Sequence, residues 1–152
     1  MAARGTQLRK GAVAAALLVL AAVSLVSCGG GAETTVNVTL QEFAVLPAQE
    51  SAPAGTTTFS VENTGPEDVH EFVVIKTDLA PDALPTDENG VVDEEGEGME
   101  VIDEIEDIPV GETQSVTVDL ESGSYALVCN IWDEDEQEAH YAMGMRSAFT
   151  VE

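Results

Sequence analysis

The sequence predicts an all-β sandwich. Short β-branched runs carry apolar side chains at every second position, and clusters of Gly, Pro and Asn punctuate them. No window sustains a helical period, so strands must build the layers.

The elements follow in chain order. Residues 1–10 contain Arg4, Arg9 and Lys10 and no acid, and an uncharged Ala, Leu and Val-rich run extends from Gly11 to Val26. A basic segment before a short apolar run is expected to be a secretory leader, because a membrane span needs about 20 apolar residues. The run ends in Leu25-Val26-Ser27-Cys28 and three glycines. This resembles the bacterial lipobox, which implies cleavage before Cys28 and acylation of its thiol. The expected organisation is a lipoprotein signal peptide over 1–27, a lipid-anchored tether over 28–34 and one domain over 35–152. The domain would lie outside the cytoplasmic membrane, in the periplasm or on the outer cell surface.

Within the domain, Val36, Val38 and Leu40 alternate with polar residues, as in a half-buried strand. Pro47 and Pro53-Ala54-Gly55 are turns. Thr56 to Glu62 alternates with Thr57, Phe59 and Val61 on one face, and Asn63-Thr64-Gly65-Pro66 turns the chain. Val69 to Lys76, Thr113 to Leu120, Ser124 to Cys129 and Arg146 to Val151 are further strands. Between them, Asp78 to Pro85 is expected to be loop. Residues 87–107 hold eleven acids and form an acidic loop insertion, its first half expected to be a mobile, solvated loop and Val101 to Ile108 an edge strand or one helical turn. The spacing Asp87-Glu88-Asn89-Gly90-Val91-Val92 does not match a calcium-binding EF-hand loop.

Charge narrows the partners. Without residues 1–27 the chain keeps two basic residues, Lys76 and Arg146, against all 29 acids, and the formal charge moves from −24 to −27. Such a surface repels phosphate backbones, so no nucleic-acid partner is expected. Bound cations, a cationic protein partner or adaptation to a salty medium all suit it.

Chemistry concentrates near the C-terminus. With Cys28 acylated, Cys129 is a single thiol in an exported chain and calls for an explanation. It ends one strand, and His140, Met143 and Met145 precede the next. Thiolate, imidazole and thioether donors suit copper better than magnesium or calcium. The other histidine, His70, stands at a strand entrance and can face the same pole.

These stretches resemble the cupredoxin (blue copper) family. The matching residues are Val61-Glu62-Asn63-Thr64-Gly65 leading to His70, Gly123-Ser124-Tyr125 leading to Cys129, and His140 through Gly144-Met145 to Phe149-Thr150-Val151. Glu42-Phe43 and Pro53-Ala54-Gly55 are similar to the family's first two strands. The resemblance implies a Greek-key β-sandwich holding one copper ion. His70, Cys129 and His140 would form a trigonal set, with Met145 as weak axial ligand and Met143 as its competitor. It implies a monomeric one-electron carrier serving a protein redox partner, with no enzymatic activity. Two features depart from the family pattern. Ten residues, Asn130 to Ala139, separate Cys129 from His140, which leaves the geometry less determined. Glu71 stands where the family often has Asn. Both favour the rival reading, a metal-free or copper-chaperone module that keeps only the fold. Five acids in the six positions Asp133 to Glu138 would favour Cu(II) and attract a cationic partner.

Overall fold

The computed structural model describes Met1 and residues 33–152. The leader beyond Met1, Cys28 and all of the tether but Glu33 and Thr34 lie outside the described residues. No helix among the described residues is long and apolar enough to cross a membrane.

Among the described residues, eleven strands and one helical turn form two packed sheets and a small ribbon. They are β1 (Thr34–Gln41), β2 (Ala44–Pro47), β3 (Ser51–Ala52), β4 (Gly55–Asn63), β5 (His70–Thr77), β6 (Met99–Ile108), β7 (Thr113–Leu120), β8 (Gly123–Val128), β9 (Trp132–Asp133), β10 (Glu138–Ala139), α1 (His140–Met143) and β11 (Arg146–Val151). One sheet has the order β2-β1-β4-β7 and the other β3-β11-β8-β5-β6, while β9 and β10 pair only with each other. The chain crosses between sheets from β2 to β3, β3 to β4, β4 to β5, β6 to β7 and β7 to β8. Strands β1 and β4 run parallel with Leu40 opposite Asn63, so both end at the same pole of the sandwich.

The alternation in the sequence is the alternation of burial. Val36, Val38 and Leu40 of β1 face inward with Phe59 and Val61 of β4, and meet Phe72, Val74, Leu127 and Phe149 from the other sheet. Phe59 packs against both Phe72 and Phe149, with ring centroids 5.3 and 5.5 Å apart. Fully burying an apolar side chain of this size contributes roughly 1.5–3 kcal/mol.

Strand β5 departs from simple alternation because both of its faces are covered. Val73 and Ile75 point away from the main core and pack with Leu84, Val92 and Tyr141. The acidic insertion thus forms a third layer over the outer face of its sheet. Its acids are largely solvated, as expected, but its backbone is anchored. The Asn130 amide accepts from Val92 N–H at 2.7 Å and donates to Val92 C=O at 3.1 Å. The Tyr141 hydroxyl donates to Pro81 C=O and accepts from Leu84 N–H. Of the alternatives for Val101–Ile108, the edge strand holds, paired antiparallel with β5.

Candidate metal centre

Three connections meet at the pole where β1 and β4 end. The first presents His70. Asn63 closes β4 with its side chain buried, and its Nδ2 donates to Asp68 C=O at 2.8 Å and Ile108 C=O at 2.9 Å. Its Oδ1 accepts from Gly65 N–H at 2.8 Å. Gly65 has φ +51°, and a Cβ there would stand 2.7 Å from Val110 Cγ1. The Asn63-Thr64-Gly65 turn is therefore built from the one residue that ties it and the one that fits it.

The second presents Cys129, the residue after β8. Its N–H donates to Met145 C=O at 3.0 Å, which closes the β8–β11 ladder around the site. The third presents His140. The ten-residue connection between Cys129 and His140 is not loose. Glu138 pairs with Asp133 and Ala139 with Trp132, and His140 N–H donates to Ile131 C=O at 2.9 Å. The Asp133 carboxylate accepts from the N–H groups of Asp135 and Glu136 and closes the tip. The single turn α1 then carries His140 inward and ends at Gly144, whose φ is +125°.

The donor atoms converge. His70 Nδ1 stands 3.2 Å from His140 Nδ1 and 3.9 Å from Cys129 Sγ, and Cys129 Sγ stands 3.4 Å from His140 Nδ1. All three residues are buried. An ion with two imidazole nitrogens at about 2.0 Å and a thiolate at about 2.3 Å, spread trigonally, separates these donors by about 3.5 Å (N–N) and about 3.7 Å (N–S). The triangle matches those spacings to within about 0.3 Å, so the residues fit a single metal ion. Met145 is fully buried in the same apolar cluster as Cys129, whereas Met143 is 47% exposed.

The electrostatics are those of a pocket built for neutral imidazoles. Burial, and then the neighbouring His140, push His70 below its ordinary pKa. Burial does the same to His140, against the opposing pull of Asp68, Asp133, Glu42 and Glu138. Neutral rings are the metal-binding form. Burial pushes the Cys129 thiol up to about 12, although N–H groups of Glu71 and Ile131 favour the thiolate. The Glu71 N–H lies 3.3 Å from Sγ. Binding a cation must therefore release the thiol proton.

Comparison with known proteins adds the fold. No protein-family model matches the sequence, and no curated protein sequence matches it significantly. Solved structures do match. A dithionite-reduced auracyanin from the photosynthetic bacterium Roseiflexus castenholzii shares 21% identity at a TM-score of 0.52, over 82% of this chain and 99% of its own. Auracyanin A, a blue copper protein of Chloroflexus aurantiacus, shares 18% at 0.51, over 80% of this chain and 100% of its own. Reduced rusticyanin shares 24% at 0.50, over 78% of this chain and 79% of its own. The fold is cupredoxin-like. The likeness at these identities is one of fold, and the His70, Cys129 and His140 triangle sits at one pole of this cupredoxin-like sandwich.

Three residues around the triangle carry more than sequence reasoning assigned to them. Tyr141 and Asn130, next in chain to His140 and Cys129, hold the acidic insertion. Glu42, in the two-residue turn between β1 and β2, faces His70 Nε2 at 3.7 Å. Nothing in the spacing of Glu42 and His70 announces their contact. A group of three carboxylates, Glu71, Glu94 and Glu104, lies beside the centre. Burial, with Glu104 and Glu94 close by, raises Glu71 to about 7.

Proposed function

We propose that this protein is a mononuclear type 1 copper protein and works as a one-electron carrier. The observation that carries the reading is the buried triangle of His70 Nδ1, Cys129 Sγ and His140 Nδ1, with Met145 buried beside it. Two imidazoles, one thiolate and a weak thioether are the donor set of an electron-transfer copper site. Bound copper would supply a one-electron couple between Cu(II) and Cu(I). The chain's part is to hold a donor geometry that both states accept, and the three hydrogen-bonded connections suit that task. Burial of all four side chains keeps water from the centre and leaves no open position for a substrate. That closure supports carrier function rather than catalysis. The auracyanin of Chloroflexus, described as a blue copper protein, supports the reading by fold.

The leader pattern and Cys28 support a membrane-anchored carrier outside the cytoplasmic membrane, held by lipid on Cys28. A cleft beside His140 is lined by Glu67, Asp68, Asp133, Glu134 and Asp135. Acids there favour a cationic protein redox partner, with association that weakens as salt rises.

The decisive experiment is reconstitution of residues 32–152 with Cu(II). One copper per chain and an intense thiolate-to-copper absorption, lost in Cys129→Ser, are expected. A colourless protein that retains no stoichiometric copper overturns the reading.

A further inference from the structure

The turn between β1 and β2 contributes one residue to each histidine. Gln41 pairs with Ala44, so Glu42 and Phe43 form the whole turn. Phe43 meets the His140 ring edge-on, with centroids 5.5 Å apart. Glu42 faces the far nitrogen of His70. Its carboxylate also accepts from Glu67 N–H at 3.1 Å and Asp68 N–H at 2.7 Å, within the connection that presents His70.

The proton inventory of His70 makes this contact chemically specific. Nδ1 is turned toward Cys129 and His140, so a neutral ring that ligates through Nδ1 carries its proton on Nε2. His70 is fully buried, and among the described residues its Nε2 has no hydrogen-bond partner. Glu42 Oε2 is likewise buried and unpartnered. Nε2 stands 3.7 Å from Oε1, the oxygen held by the Glu67 and Asp68 N–H groups, and Oε2 of the same carboxylate still has its acceptor capacity unused. Carboxylate torsions are soft, and a swing of less than about 1 Å closes the hydrogen bond.

We propose that Glu42 is the positioning residue of the centre: its carboxylate accepts the Nε2–H of His70, fixes that tautomer and aims Nδ1 at the ion. The inference rests on the copper reading and specifies how the site is tuned. A carboxylate behind a ligating histidine makes the ring a stronger donor, and removing such a partner typically costs about 10–100-fold in metal affinity. The stronger donor and the added negative charge both favour Cu(II) over Cu(I). Glu42 thus couples the shape of the His70 connection, through Glu67 and Asp68, to the redox preference of the site.

Two measurements test this. In the metal-free protein, ¹⁵N NMR of the histidine rings is expected to show His70 as the Nε2–H tautomer, with that proton slow to exchange. In the copper-loaded protein, Glu42→Gln keeps a carbonyl oxygen for the Glu67 and Asp68 N–H groups and removes the charge. It is expected to keep the absorption band and shift the Cu(II)/Cu(I) preference about tenfold toward Cu(I), equivalent to about 59 mV for one electron. Glu136→Gln, which removes an equal charge from the same recess, is expected to shift it far less. A His70 proton on Nδ1, or equal shifts in the two variants, overturns the inference. Failure of the wild-type protein to bind copper overturns the function proposed above, and the ring tautomer then decides the Glu42 contact by itself.

Discussion

Cys129 Sγ and His140 Nδ1 lie 3.4 Å apart although eleven positions separate the two residues in the chain. The β9–β10 ribbon is what brings them together: its two strands travel out and back in register, so the extra length never reaches the site. A connection of this length costs little more closure entropy than a short one. The site therefore needs the ribbon's base, not its tip. Replacing Glu134 to Gln137 by Asn-Gly should preserve copper stoichiometry and the absorption band. It should also favour Cu(I), because three acids leave. Spectrophotometric redox titration reads both, and loss of the band would show that the tip shapes the centre.

The two methionines separate by burial. Met145 is fully buried with Cys129, and Met143 is half-exposed. Met145→Leu conserves volume and should cost less than about 1.5 kcal/mol of stability. If Met145 is the axial donor, this variant should raise the reduction potential by on the order of 50–100 mV, one to two tenfold steps in Cu(I) preference. Met143→Leu should leave the potential unchanged. Protein-film voltammetry on both variants decides between them.

Asn63 bears on the site without touching it. Removing its amide strands Asp68 C=O, Ile108 C=O and Gly65 N–H, the first two being acceptors for the same Nδ2. Asn63→Ala should cost about 2–4 kcal/mol in urea unfolding of the metal-free protein, from buried groups left unpaired. Copper affinity should fall with it, because the connection to His70 loosens. A cost under about 1 kcal/mol would mean that water replaces the amide.

Glu71 should make stability fall as pH rises. Its carboxyl titrates at about 7 in the folded protein, against an ordinary value of 4.5, because it is partly buried near Glu104 and Glu94. Between those values the folded state binds more protons than the unfolded one, so stability declines with rising pH across that window. Glu71→Gln removes this contribution. It should stabilise the metal-free protein by about 1 kcal/mol at pH 8, allowing for solvent screening of a partly exposed group, and by almost nothing at pH 4. Chemical denaturation at the two pH values reads the difference.

Tyr141 links the centre to the acidic layer through one hydroxyl, which donates to Pro81 C=O at 2.7 Å and accepts from Leu84 N–H at 3.2 Å. Tyr141→Phe should cost about 1–2 kcal/mol. It should speed amide exchange across residues 81–92 while leaving β1 and β4 protected. Uniform exchange changes would instead indicate that the insertion and the sandwich open as one unit.

Much of this was legible in the sequence, for reasons that are local. Val36-Asn37-Val38-Thr39-Leu40 states a half-buried strand by itself, since period-two alternation needs no partner to be read. Asn63-Thr64-Gly65 states a turn through an amide that bonds its own neighbours and a glycine that tolerates positive φ. The order His70, Cys129, His140, Met145 states a soft donor set. Short strands such as β3, β9 and β10 carry too few residues to show a period, and they exist because a neighbouring strand supplies their hydrogen bonds.

The tertiary structure alone decided three things. It zipped the long Cys129–His140 connection into a ribbon. It laid the acidic insertion over Val73 and Ile75 with Leu84 and Val92 beneath its charges. And it set Glu42 against His70, 28 positions away, because β1 and β4 run parallel and end together. The sequence by itself determined which side chains are available and which faces are apolar. Which of them meet depends on the register and order of strands distant in the chain, and no local pattern encodes that.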